Sequence, residues 1–257
     1  MIIMNELEYA EKMIDSRELG SKPFTTLVNV GKYYLHNKYS KREARKMLED
    51  YLVRCNPNAS RTEWASSLDR AMTIAAKSPP VQIDGIDIYC NELETINAIN
   101  GVQRRRLAFT LLCIAKFMDR VNPKNNHWTM QNDTEVMDLA NIRTPIRRQC
   151  MLFNSLRDGG YIQYSKRVDN LNVRVLFLQQ SGDVAIHISD FRNLGYQYMK
   201  MFGGPYYECQ NCGIVFKTKN TGSGRNPKYC PECAAEIWTK QKIDAVMRHR
   251  NLPKNVK

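Results

Sequence analysis

No apolar run in this chain approaches the roughly 20 residues that a membrane-spanning helix needs, which excludes the helical class of membrane protein. A secretory leader is missing as well. We therefore expect a reducing cytoplasm, where disulfides are disfavoured. There is no internal repeat and no low-complexity tract, so solenoid and fibrous classes drop out. The signatures of the common catalytic classes are also lacking: no Walker loop, no Gly-x-Ser-x-Gly, no HExxH and no paired-carboxylate motif. His36, His127, His187 and His249 stand far apart without a partner motif, and His187 alternates with Ile186 and Ile188 as on the outer face of a strand. The expectation is a protein that is not an enzyme.

What is present begins with charge. The 257 residues carry a formal charge of +12. Residues 1–100 hold 13 Lys and Arg against 14 Asp and Glu, so the whole excess lies in residues 101–257. Such asymmetry is the electrostatic footprint of a polyanion partner, DNA or RNA; a merely soluble basic protein is the alternative. Hydrophobic residues make up 43%, enough for real cores. The length suits about two domains and a small metal module.

Four cysteines form two pairs, Cys209-x₂-Cys212 and Cys230-x₂-Cys233, separated by 17 residues. Each pair is a tight turn that aims two sulfurs at one ion, with Gly213 and Pro231 as turn residues, and the spacing predicts one zinc ion, Zn2+, held by four thiolates. Two disulfides or four unrelated thiols are the alternatives. With all four positions filled by sulfur no site remains for an activated water, so the zinc is read as structural. The insert Gly213–Tyr229 carries Lys217, Lys219, Arg225 and Lys228 and no acid. It reads as a solvated loop or as a nucleic-acid-contacting finger tip. Cys55, Cys90, Cys113 and Cys150 are expected as buried free thiols.

The first hundred residues read as helices. Ser40-x-x-Glu43 and Ser60-x-x-Glu63 are capping boxes that open helices through Tyr51 and to Ala76. Ser78-Pro79-Pro80 stops the second one. Val81–Ile88 alternates around Asp84-Gly85, a hairpin signal that is a better account of Asp84 and Asp87 than a metal-binding carboxylate pair.

The middle reads as three helices and a hairpin: an apolar helix over Arg104–Met118, a short one over Thr134–Leu139, and a third opened by Thr144 and Pro145 and closed by Gly159-Gly160. Tyr161–Ser165 and Val173–Leu178 are predicted strands joined by a basic connection. A strand over Val184–Ile188 and a helix over Asp190–Lys200 follow, then a helix from Ala234 to about Met247 and a basic tail.

The three-helix, two-strand order resembles the winged helix-turn-helix family. That resemblance implies DNA contact by the start of the third helix, through Arg143, Arg147, Arg148 and Gln149, and by the wing, through Lys166 and Arg167. Winged helices also serve as protein-interaction modules. Thr26–Leu35, Tyr39–Leu48, Arg54-Cys-Asn-Pro57 and Trp64–Ala76 resemble the primase C-terminal helical module of phage and plasmid replication proteins, over residues 20–78. About twenty residues precede the match, so the implication is replication context and a helical fold, not primase activity. The whole order, with the Asn170–Phe177 strand, the Phe191–Tyr196 segment and the terminal zinc ribbon, resembles a group of phage and prophage proteins from Gram-positive hosts.

The expected fold is mainly α with small β elements (α+β): a helical domain over 1–100, a winged-helix domain over 101–200, and a zinc ribbon with a basic helix over 201–257. The expected function is nucleic-acid binding in the bacterial cytoplasm, as an accessory factor in bacteriophage replication or transcription. The alternative is an interaction protein of the anti-CRISPR type that binds a host nucleoprotein complex, or another host or phage protein complex. No membrane partner is expected.

Overall fold

The structure, a computed structural model, describes residues 2–166, 172–218 and 226–251, the side chains of the last stretch only as far as Met247. It is mainly helical with small antiparallel sheets. The chain forms two compact units, Met1–Ile86 and Asp87–Lys257.

The first unit holds α1 (Glu6–Ser16), α2 (Pro23–His36), α3 (Lys41–Cys55) and α4 (Arg61–Ala75). Local chemistry starts each helix. The Asn5 side chain accepts from the Glu8 N–H, and Pro23 occupies the first turn of α2. At Ser40 both halves of the capping box form: Glu43 N–H donates to Ser40 Oγ at 3.3 Å, and Ser40 N–H donates to Glu43 Oε2 at 2.9 Å. The apolar faces meet in a core of Leu27, Val30, Leu48, Leu52, Leu68 and Met72. Gly31 lets α2 pack close on α4: a Cβ there would sit 3.2 Å from Met72 Sδ and 3.3 Å from Ala75 Cβ, tighter than an ordinary contact.

The hairpin expected over residues 81–88 does not form. Gln82 instead bridges to Asn5, and Ile83 N–H donates to Met4 O. The following strand, β1 (Ile86–Tyr89), pairs with β5 (Val184–Ile188). Asp-Gly is a local turn cue, but burial of Ile86 and Ile88 was better served by a partner strand about a hundred residues away.

The second unit is built round α6 (Val102–Val121), which follows α5 (Cys90–Ala98). Every residue from Leu107 to Phe117 is buried, so α6 is a core helix rather than an amphipathic surface helix. Then come β2 (Trp128–Thr129), α7 (Asp133–Leu139), α8 (Ile146–Asp158), β3 (Ile162–Tyr164) and β4 (Val173–Val175). These three strands form one antiparallel sheet in the order β2-β4-β3, with Ile162 opposite Val175 and Trp128 opposite Arg174. After β5 the chain forms α9 (Leu194–Lys200), the paired strands β6 (Tyr206–Glu208) and β7 (Val215–Lys217), and α10 (Pro231–Asn251).

Several boundaries differ from expectation, among them the start of α10, at Pro231 rather than Ala234. α8 begins at Ile146 with Pro145 at the cap, its backbone extended at φ −56° and ψ 149° rather than helical. α9 begins at Leu194 rather than near Asp190, because Asn193 is left-handed (φ 54°). β7 lies inside the Gly213–Tyr229 insert, so that insert is not a loop throughout: Val215 and Phe216 are buried.

A buried ion pair ties the second unit together. Lys116 Nζ lies 2.7 Å from Glu92 Oε2, and Glu92 is fully buried. Such a pair persists where hydrogen bonds satisfy the remaining valences. Here Glu92 also accepts from Tyr89 N–H and Gln179 N–H, and Lys116 donates to Asp87 O and lies over the Tyr89 ring.

Candidate metal centre and arginine face

The first cysteine pair closes the turn between β6 and β7. Cys209 N–H donates to Ile214 O at 3.0 Å and Gly213 N–H to Cys209 O at 2.9 Å, with Gly213 left-handed at φ 73°. The second pair spans the start of α10, where Pro231 takes the first helical position. Cys233 N–H donates to Cys230 Sγ at 3.5 Å. Gln210 N–H donates to Lys228 O and so links the two segments.

All four sulfurs lie within 4.8 Å of one another and could hold a metal ion. Cys209, Cys230 and Cys233 are buried, packed with Phe216 and flanked by Tyr207 and Ile214. Cys212 Sγ is 3.8 Å from Cys230 Sγ, and Asn211 Nδ2 donates to Cys233 Sγ at 3.3 Å. Without an ion the thiols titrate apart. Burial opposes the Cys209 thiolate, but backbone N–H groups of Cys230, Cys212 and Asn211 outweigh it and bring the thiol down to about 6. Burial pushes Cys212 up. Asn211 favours the Cys233 thiolate, but burial and the neighbouring sulfurs prevail and push Cys233 up to about 12. A cation in their midst would override these differences, because its charge stabilises every thiolate at once.

The basic residues expected to touch nucleic acid fall into two groups. Arg147 and Arg148 are exposed on the first turn of α8, and Arg143 is exposed in the α7–α8 connection just before it. Among the described residues none of the three has an ion-pair partner. Gln149 is half-buried and its Nε2 donates to Thr144 O at 2.9 Å, so its amide is engaged with the backbone. Lys166 is exposed after β3; Arg167 lies outside the described residues. In the metal module Lys217 and Lys228 are exposed, while Lys219 and Arg225 lie outside the described residues. Lys217 Nζ stands over the Tyr206 ring at 5.7 Å.

Beside α8 runs a groove of about 1100 Å³, lined by Val102, Arg104, Pro145, Arg147, Arg148 and Met151 among others. Arg104, near which the basic surface was expected to begin, stands in the first turn of α6 and lines this groove. Ile146 and Met151 are 77% and 64% exposed. The buried free thiols expected elsewhere need correction: Cys113 is buried, Cys55 and Cys90 are half-buried, and Cys150 is exposed on the open side of α8. The α8 face that packs inward carries Leu152, Phe153 and Leu156, which leaves Cys150 outside.

A connector joins the metal module to the α7–α8 connection, and sequence reasoning gave it no role. Asn193 Nδ2 donates to Val215 O at 2.9 Å, and Asn141 Nδ2 donates to Asn193 Oδ1 at 2.7 Å. Tyr196 N–H donates back to Asn141 Oδ1 at 3.1 Å. Arg192 Nη2 donates to Cys212 O at 2.6 Å, inside the first cysteine turn. Arg106 donates to Ala140 O and Asn141 O, and its guanidinium lies over Tyr196. Gly195 presses against the same turn: a Cβ there would lie 1.9 Å from Ala140 O. Two left-handed Asn residues, Asn141 and Asn193, are the local signal, and left-handed geometry is not readable from sequence alone.

Fold and site together define a mainly α protein carrying a cluster of four thiols able to hold a metal. Comparison with protein families, with curated proteins and with solved structures returns no match.

Proposed function

We propose that this protein binds nucleic acid, DNA in the first instance, through the N-terminal turn of α8 and the basic segments flanking it. The observation that carries the reading is the arginine face: Arg143, Arg147 and Arg148 are exposed and without ion pairs among the described residues. Arginines left unpaired at the start of the third helix suit phosphates and guanine edges in a major groove. The succession α6, α7, α8, β3, β4 is the order expected of a winged helix. In this reading the protein is an accessory factor in replication or transcription of a phage or mobile element. Unpaired arginines and a one-sided positive charge support nucleic-acid binding; the phage context rests on the sequence resemblance.

The metal is zinc in this reading. Zn–S bonds of about 2.3 Å place tetrahedral sulfurs about 3.8 Å apart, and Cys212 and Cys230 stand 3.8 Å apart. The chemistry that zinc supplies there is cross-linking of β6–β7 to α10. A reducing cytoplasm keeps the ligands as thiols.

The test is a salt series with duplex DNA. Arg147→Ala with Arg148→Ala is expected to weaken binding at least about tenfold and to lower the salt slope by about two. Unchanged affinity and slope would sink the reading.

A second reading has an observation of its own. Ile146 and Met151 are apolar and exposed beside the groove. Exposed apolar side chains among unpaired arginines suit a protein with an acidic, apolar surface, such as a component of a host nucleoprotein complex. Ile146→Ser with Met151→Ser separates the two: a protein partner is lost, and DNA affinity is little changed.

A further inference from the structure

We propose that Asn193 is a positioning residue through which metal binding at the cysteines sets the α7–α8 connection, and with it the arginines of α8. The proposal rests on the nucleic-acid reading for its functional consequence; its structural part stands by itself.

The metal module has a small core of its own: Cys209, Cys230, Cys233 and Phe216, with Tyr207, Cys212 and Ile214 partly buried against them. A cluster so small orders only when an ion draws the sulfurs together. When it orders, Val215 O and Cys212 O are fixed, and both are acceptors for the connector. Asn193 uses each end of its amide: Nδ2 holds Val215 O in the module, and Oδ1 receives Asn141 Nδ2 in the connection. Asn141 in turn stands two residues before Arg143 and five before α8. The connection has little slack, because Gly195 lies directly against Ala140 O. Loss of the ion therefore removes the acceptor on one side of Asn193 and loosens its hold on Asn141, which keeps its bonds to Tyr196 N–H and Arg106, and the start of α8 gains freedom. Coupling of this kind requires an element with two arrangements that both sites bias; here that element is the six-residue connection 140–145.

Amide exchange of the full chain tests this, with zinc as the probe. In the wild-type protein, chelation is expected to lower protection of the Ile142 and Arg148 amides at least about tenfold, while amides in the first unit stay unchanged. Asn193→Gly keeps the left-handed backbone but removes both side-chain bonds. It should still hold one zinc per chain, and its Ile142 and Arg148 amides should exchange fast whether or not zinc is present. Asn193→Asp keeps the acceptor for Asn141 and loses the donor to Val215 O, so it should keep part of the protection but lose its dependence on zinc. Wild-type amides unmoved by chelation would overturn the proposal. So would Asn193→Gly or Asn193→Asp responding to chelation as fully as wild type.

The functional arm follows with duplex DNA. Zinc removal should weaken wild-type binding about tenfold, one decade in Kd, and Asn193→Gly should bind at that weaker level with or without zinc. If no form binds DNA, the nucleic-acid reading fails and the exchange data still decide the coupling.

Discussion

Leu27, Leu48, Leu52 and Leu68 are shut away from solvent in the first unit, whereas the module after Tyr206 closes over four sulfurs and the ring of Phe216. The first region is stabilised by apolar area removed from water, at about 25 cal/mol per Å². The second has little such area of its own and gathers four thiols that could hold a metal ion. The two also differ in charge: residues 1–100 are nearly neutral, and the excess positive charge lies beyond them. One chain thus joins a region with an apolar core to another built round four clustered thiols.

The sharpest way to break this comparison is to remove one ligand. Cys230→Ser should abolish stoichiometric metal binding and unfold the module, while the first unit keeps its helical signal and its thermal transition. Metal analysis and calorimetry check this, and one zinc per chain retained by the variant would overturn the four-thiolate assignment. The reciprocal change is Leu48→Ala, which should destabilise the first unit by about 2–5 kcal/mol through the cavity it leaves. Metal affinity should not move; a titration with a competing chelator checks it.

pH should separate the regions next. At neutral pH Cys209, brought down to about 6, is already ionised, but Cys212 is raised and Cys233 is pushed up to about 12. Metal binding must displace at least those two protons. Affinity should therefore rise with pH by at least about two decades per unit near neutrality, and more steeply below pH 6, where Cys209 too must lose its proton. Calorimetry in buffers of different ionisation enthalpy counts the protons, and fewer than two would contradict the geometry. The smallest effect is at Ser40. Ser40→Ala should lower the stability of the first unit by about 1 kcal/mol, read by denaturant unfolding, with the module unaffected.

How much of this was legible in the sequence follows from how local each determinant is. Ser40 with Glu43 announces a helix start because both partners lie within one turn. The cysteine spacing was readable for the same reason, each pair being a single turn. The β3–β4 pairing was also readable, with strands longer than those that form: β4 ends at Val175. Non-local determinants were not readable. Ile86 and Ile88 suggested a hairpin with their own neighbours, and the partner strand lay far along the chain. α5 escaped notice because its start is fixed by Glu92, which also reaches Tyr89 and Gln179 from a buried position. At the candidate interface the arginines of α8 could be named from sequence, but not that Gln149 would turn to Thr144 O or that Asn193 would hold the connection.

The connector also has a consequence for the order of synthesis. Asn141 meets its partner 52 residues downstream at Asn193, and Asn193 meets its own 22 residues further on at Val215. Domains generally fold from the N-terminus as the chain is made, at about 5–20 residues per second. The α7–α8 connection runs against that order: it leaves the ribosome early yet gains its bonds to Asn193 and Tyr196 only 52 and 55 residues later, and Asn193 waits in turn for Val215, so a chain cut before Asn193 would carry its arginines on an unfinished turn.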